Sequence, residues 1–168
     1  MREGNGIKVI FLAVGSQFGF DRLVKAVDDA IEKRVVQDSV FAQIGPGSYL
    51  PRRMEYVITL EKEAFDKTLN TCQAMISHAG IGNISLALKL GKSLLVMPRL
   101  KQYGEVVNDH QVDTARKFEQ LGHILAAYDT EDLTEKIQLL KTFVPRPRAP
   151  NRQGVIDRIG SFLLSLKC

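Results

Sequence analysis

Between Met75 and Gln111 the chain reads MISHAGIGNISLALKLGKSLLVMPRLKQYGEVVNDHQ, and this stretch limits its possible folds more than any other. A short apolar segment, Ala74 to Ser77, runs directly into His78, Ala79, Gly80, Ile81 and Gly82. A helical pattern follows to Leu90, Gly91 stops it, and a second apolar run from Ser93 to Met97 ends at Pro98. Strand, glycine turn, helix, glycine stop and strand is the order of a βαβ unit. In such a unit the glycine turn and the first N–H groups of the helix make a place for an anion, typically a phosphate.

The rest of the chain repeats the alternation. Ile7 to Val14 is almost continuously apolar, as in a strand buried on both faces. Asp21 is placed to cap a helix in which Leu23, Val24, Val27 and Ile31 recur at helical spacing. Val40 to Ile44 and Tyr56 to Leu60 read as strands, with a short polar helix through Lys67 after the second. Beyond the βαβ unit, Val112, Ala115, Phe118 and Leu121 mark an amphipathic helix. Ile124 to Ala127 reads as a last short strand, and Thr130 as the cap of a helix to about Phe143. This pattern predicts an α/β domain over residues 1–144, a Rossmann-like parallel sheet with helices on both faces. A Pro/Arg-rich linker, residues 145–154, and an amphipathic helix, residues 155–168, complete the organisation. Val155, Ile156, Ile159, Phe162, Leu163 and Leu166 form the apolar stripe of that helix.

Of the 168 residues 45% are hydrophobic and 25% charged, ordinary values for a globular domain. With no apolar stretch of membrane-spanning length and no signal-peptide core in MREGNGIK, the expected location is cytoplasmic. Cys72 and Cys168 show no metal spacing, so a buried thiol and a terminal thiol in a reducing compartment are expected. From Lys141 onward six basic residues face one acid, while the first 140 residues hold 17 basic and 18 acidic groups. The net charge of +4 therefore belongs to the tail. No aromatic interleaving or binding motif accompanies it, so nucleic acid is not the expected partner. An anionic membrane face, an acidic protein surface and simple solubility all remain open for it.

In an open parallel sheet, ligands bind beyond the carboxyl ends of the strands. Three loops are expected there: Gly15 to Phe20, His78 to Asn83, and Pro98 to Gln111. The first two can bring backbone N–H groups close to a phosphate. The third is long and polar, with Arg99, Lys101, Tyr103, Glu105, Asn108, Asp109, His110 and Gln111. Each residue also has a purely structural reading. Gly15, Gly80 and Gly82 would then only permit tight turns, His78 would be a hydrogen-bonded strand-end residue, and Asn83 a helix-turn polar residue. Asp109 and Gln111 would cap the following helix. There is no GxGxxG, and LGKS at residues 90–93 follows a helix, so it is not a phosphate-binding loop of the Walker type. No catalytic triad, carboxylate pair or metal cluster stands out, and neither cofactor nor metal is expected.

The combination of VGSQ and FDRL near the start, SHAGIGN in the middle, and GKSLLVMPR with NDHQ after it resembles a known family. It is similar to the donor-binding, C-terminal half of GT-B glycosyltransferases of family 28. That family includes the bacterial enzyme that makes lipid II and the small cytosolic subunit of the dolichol-linked N-acetylglucosaminyltransferase. The resemblance is strongest to PssE-type subunits of two-component exopolysaccharide glycosyltransferases, and it covers about Ile7 to Phe143. It implies a UDP-sugar donor, with Gly15 and Ser16 near the phosphates or the acceptor cleft. His78, Ala79, Gly80, Gly82 and Asn83 would hold the pyrophosphate at a helix N-terminus. Glu105, Asn108, Asp109 and Gln111 would lie at the donor, Gln111 above all at the sugar hydroxyls. Arg99 and Lys101 stand where a donor carboxylate would be paired, which suits a uronic acid such as glucuronate; the alternative is a solvated basic loop.

Two departures from the family pattern matter. Many members carry a ribose-binding glutamate in the helix after the glycine turn, and here that position is Leu86. The chain also has the size of one of two GT-B domains. The acceptor-binding domain, with the general base, is therefore expected on a membrane-associated partner subunit that recruits this chain to the inner face of the membrane. The resemblance thus implies an inverting hexosyltransferase, active only with its partner, moving sugar to a lipid-linked acceptor in polysaccharide biosynthesis. In this picture the last helix docks on the partner; its alternative is packing on its own domain. A non-catalytic nucleotide-sugar-binding or regulatory subunit, and a nicotinamide or flavin oxidoreductase, are the readings set against this one.

Overall fold

The computed structural model describes residues 9–147 and 152–165. Six strands form one sheet: β1 (Val9–Ala13), β2 (Ser39–Gln43), β3 (Glu55–Val57), β4 (Ala74–His78), β5 (Ser93–Met97) and β6 (Leu125–Ala126). The spatial order is β3-β2-β1-β4-β5-β6, and every neighbouring pair is parallel. Parallel strands need crossovers, and helices supply all of them except the β2–β3 connection, which is a loop. They are α1 (Asp21–Glu32), α2 (Lys62–Thr71), α3 (Ile81–Lys89) and α4 (His110–Gln120); α5 (Thr130–Leu139) follows β6. The Rossmann-like expectation is met.

Alternate residues of each strand serve different layers. On one face Leu12, Ile76, Leu95 and Met97 pack with Leu23, Val24 and Val27 of α1 and with Leu133 and Ile137 of α5. On the other, Phe11, Met75, Leu94 and Val96 meet Leu69 of α2, Ile84 and Ala87 of α3, and Ala115 of α4. Because both faces are covered, the strands are apolar runs rather than alternating ones, which is why β1, β4 and β5 are plain in the sequence. Replacing a central side chain such as the fully buried Leu12 by alanine costs about 2–5 kcal/mol.

Several element ends differ from expectation, three of them with a clear physical reason. Asp21 does not cap α1: it is the first helical residue after the N-cap Phe20. Its carboxylate instead accepts hydrogen bonds from the Ser48 amide and hydroxyl, at 3.1 and 2.6 Å. Thr130 does not cap α5 either. Asp129 does, accepting from the Asp132 amide at 2.7 Å while Asp132 accepts from the Tyr128 amide. β3 ends at Val57, short of Leu60, as suits an edge strand paired on one side only. Residues 7 and 8 of the first expected strand lie outside the described residues.

The chain stays attached to the domain past Phe143. The Ser93 hydroxyl donates to the Phe143 carbonyl at 2.5 Å, and the Arg146 amide donates to the Gly122 carbonyl at 2.9 Å. The last helix, α6 (Arg152–Ser165), begins inside the segment expected to be linker. Its Ile156, Ile159, Phe162, Leu163 and Leu164 are each more than half exposed, so this apolar surface does not pack on its own domain. Val155 and Leu166 of the expected stripe, like Cys168, lie outside the residues whose side chains are described. Among the described residues no helix is long and apolar enough to cross a membrane.

Candidate functional site

The order of the sheet makes β1 and β4 neighbours at the point where the chain's direction of winding reverses, and Ala13 pairs with Ser77 there. Such a switch point opens a crevice beyond the carboxyl ends of the two strands. Gly15 leaves β1 with φ +91°, a conformation that disfavours any side chain. Across the crevice stands His78, the last residue of β4, with its Cε1 3.4 Å from where a Cβ on Gly15 would sit. A Cβ on Gly80 would lie 2.3 Å from the His78 Nε2. The two glycines thus leave a slot that the imidazole occupies.

Burial pushes the His78 pKa down to about 4, and the positive charge of Arg99 pushes in the same direction. The ring is neutral at neutral pH. It offers one N–H donor and one acceptor, with Nδ1 3.4 Å from the Ser77 hydroxyl.

From Gly80, the N-cap in extended conformation, the chain turns directly into α3. The first amide of this helix with an intrahelical acceptor is Ile84, bonded to the Gly80 carbonyl at 3.1 Å. The amides of Ile81, Gly82 and Asn83 come before it, at the positive end of the helix dipole. Gly82 is exposed, and a Cβ there would meet nothing within 4 Å, so tight packing does not explain this glycine. Asn83 does more than fill a helix turn. Its amide donates to the Ser77 hydroxyl at 2.8 Å, and that hydroxyl donates to the Ala13 carbonyl at 2.7 Å. This chain of bonds ties the α3 N-terminus to the end of β1. Ala79 is buried behind it, and Ser16 is exposed on the opposite turn.

Arg99 corrects an expectation. It is 4% exposed and faces inward, donating to the carbonyls of Gly19, Val14 and Phe18 at 2.5, 2.8 and 2.9 Å. A guanidinium held in this way is not available to a donor carboxylate, so the uronic acid argument loses this residue. Glu105 is likewise engaged: its two oxygens accept from Arg22 Nε and Nη2, both at 2.9 Å, and one also accepts from the Leu100 amide. Asp109 accepts from the Lys101 amide at 2.7 Å and makes no side-chain cap to α4, although it is the N-cap residue. Asn108 accepts from the His110 amide at 3.2 Å on the exposed side of the loop. Gln111, 7% exposed, accepts from the Arg99 amide at 3.1 Å through Oε1. That bond orients the side chain and leaves its NH2 group for other acceptors.

Three groups not singled out from the sequence belong here. Ser77 links β1 to Asn83, and Arg22 forms a fork with Glu105 while stacking 4.8 Å from the Tyr103 ring. The signal for Arg22 was present in the FDRL tetrapeptide, but its partner lies 83 residues away. The third is the loop of Pro46 to Ser48. With Gly19, Arg22, Tyr103 and Glu105 it lines a cavity of about 400 Å³ beside the glycine turns. A larger cavity, about 790 Å³, lies at the opposite end of the sheet, where Val9, Ser39 and Glu55 begin their strands and α2 contributes Lys67 and Thr71. It has no glycine turn or switch point, so the physical case for a nucleotide stays at the carboxyl ends.

Comparison with known proteins gives the family and the fold. Residues 9–156 match the model of the glycosyltransferase family 28 C-terminal domain. The human UDP-N-acetylglucosamine transferase subunit ALG13 is 28% identical over 127 residues, 70% of this chain and 11% of that protein. This chain therefore spans about a tenth of that relative's length. Among solved structures, the solution structure of ALG13 superposes with a TM-score of 0.60 at 17% identity, covering 90% of this chain and 94% of that one. The MurG of Acinetobacter baumannii superposes with a TM-score of 0.57 at 18% identity, covering 95% of this chain and 52% of that one. At these identities the structural likeness establishes the fold alone, and the family follows from the match that spans most of the chain. The protein belongs to the family of glycosyltransferase family 28 C-terminal domains.

Proposed function

We propose that this chain is the donor-binding subunit of a two-component, inverting glycosyltransferase that transfers a hexose from a UDP-sugar to a lipid-linked acceptor. The observation carrying this reading is the convergence at one crevice of the Gly15 turn, the neutral His78, the α3 N-terminus and Gln111. The diphosphate would lie against the amides of Ile81 to Asn83, with the His78 N–H as a further donor. Those groups would stabilise the leaving UDP as an acceptor hydroxyl attacks the anomeric carbon from the opposite side. The anomeric C–O bond to UDP breaks as the new glycosidic bond forms, and the configuration inverts. The Gln111 amide would meet the sugar hydroxyls. A glucuronate donor would find Lys101, exposed on its loop, rather than Arg99.

The acceptor proton needs a base. Glu105 is held by Arg22 and Asp109 by the Lys101 amide, so the base is assigned to the partner subunit. The exposed apolar face of α6, which follows an arginine-rich segment in the sequence, is the surface assigned to that partner at the inner face of the membrane, in polysaccharide assembly. Leu86 packs partly buried against the α3 side of the core and offers the ribose no carboxylate. Turnover of UDP-sugars by the purified pair tests the reading. A wild-type pair that transfers sugar beside a Gln111→Ala pair that does not supports catalysis at this site. Equal turnover by both pairs would make the chain a nucleotide-sugar-binding or regulatory subunit instead.

A further inference from the structure

We propose that Arg99 is a positioning residue that turns the β1–α1 loop into an anion receptor and leaves its own buried charge for the bound diphosphate to neutralise. This rests on the donor-site reading above and assigns the loop's electrostatics to a residue that touches no ligand. The guanidinium holds three carbonyls of one loop, Val14, Phe18 and Gly19. The C=O and N–H of a trans peptide point in opposite directions, and among the described residues no peptide is cis. Drawing those three oxygens inward therefore aims the N–H groups of Gly15, Gly19 and Phe20 away from Arg99. One side chain sets the direction of three donors.

The charge itself is unbalanced. All three acceptors are neutral, and the guanidinium carbon lies 4.7 Å from the Phe20 ring centroid. The carboxylate that acts on Arg99, Glu105, has both oxygens bonded to Arg22, so that pair is neutral on its own. A buried cation without an ionised partner is costly, and an anion at the mouth of the loop removes part of that cost. Arg99 also reaches His78 electrostatically, adding to the burial that keeps the imidazole neutral opposite Gly15.

Calorimetry with UDP, UMP and uridine on the full chain carrying Arg99→Gln or Arg99→Lys tests this. Arg99→Gln is expected to weaken UDP by about tenfold or more, the effect of one unit charge across roughly 10 Å of partly buried protein. UMP should lose less, and uridine should change by less than about threefold. Arg99→Lys, which keeps the charge but not the fork, should fall between wild type and Arg99→Gln. Equal losses for UDP and uridine would mean that Arg99 merely holds the loop together, and would overturn the proposal. An NMR titration of His78 gives a second readout, with Arg99→Lys as the control for loop packing, because burial also lowers this pKa. The midpoint should rise above about 4 in Arg99→Gln and stay near the wild-type value in Arg99→Lys, which keeps the charge. An unmoved midpoint in Arg99→Gln, or an equal rise in both variants, overturns the electrostatic claim. Should Arg99→Gln not fold, saturating wild type with UDP must raise the same midpoint. Wild type that binds no UDP defeats the donor reading itself. Wild type that binds it, beside an unimpaired Arg99→Gln, defeats only this inference.

Discussion

Gly82 and Gly80 stand two residues apart at the start of α3, and alanine should affect them in opposite ways. At Gly82 an added Cβ meets nothing within 4 Å, and the residue is already helical. Alanine there restricts the unfolded chain without a clash, so Gly82→Ala should stabilise by about 0.4–1 kcal/mol. For a chain of this size that raises the melting temperature by about 1–4 °C. At Gly80 the same methyl would lie 2.3 Å from the His78 Nε2 and 2.8 Å from its Cδ2, so the ring must leave its slot. Overpacking of that kind costs about 1–3 kcal/mol, a fall of roughly 2–12 °C. Both variants should lose UDP affinity, Gly80→Ala by displacing His78 and Gly82→Ala because its methyl occupies the space of the diphosphate. The decisive protein is Gly82→Ala, more stable yet at least about tenfold weaker for UDP, a loss of about 1.4 kcal/mol. Thermal melts and calorimetry on the same preparations measure both. Undiminished UDP binding by Gly82→Ala would refute the placement of the diphosphate on the first turn of α3.

Other perturbations follow from the same contacts. Burial raises the Asp28 carboxyl, but the Arg52 and Arg53 amides, the Tyr49 hydroxyl and the Arg53 charge outweigh it, and the pKa ends below the usual value. Its stabilisation is full above the unfolded pKa of about 3.9 and is lost as pH falls through the folded value. Melts of Asp28→Asn should therefore depend less on pH below about 4 than wild type, and parallel curves would contradict this. For His78 the unfolded chain binds more protons between about 6.5 and about 4, so stability should decline as pH falls through that window. A His78→Gln variant that keeps the wild-type slope there would reject the assignment. Deleting residues 151–168 should move the melting temperature by less than about 2 °C, since the described side chains of α6 are largely exposed, yet abolish co-purification with the partner. Unchanged co-purification removes the docking role from α6.

What the sequence revealed, and what it concealed, separates by range. β1, β4 and β5 were readable because strands covered on both faces are unbroken apolar runs. The Gly15 and His78–Gly80 turns were readable because glycine, at positive φ or beside a bulky ring, leaves a local mark. Arg99 was not, since its acceptors lie 80 to 85 residues earlier and a basic residue in a polar loop looks solvated. Asp21 and Thr130 fit cap patterns. However, Asp21 found stronger acceptor work at Ser48, and Asp129 was already one residue ahead of Thr130. The C-terminal helix is legible as an apolar stripe, but its start within the proline-rich segment is not, because Asn151, a cap-type residue, follows three prolines that read as extended chain.

Backbone amide NMR of the isotope-labelled chain titrated with UDP tests the site most directly. The amides of Gly15, Gly19, Ile81, Gly82 and Asn83 and the side-chain amide of Gln111 should shift together and saturate at one affinity. Shifts confined to the other end of the sheet, at Val9, Ser39, Glu55 and Thr71, would place the nucleotide in the larger cavity and contradict the site described above.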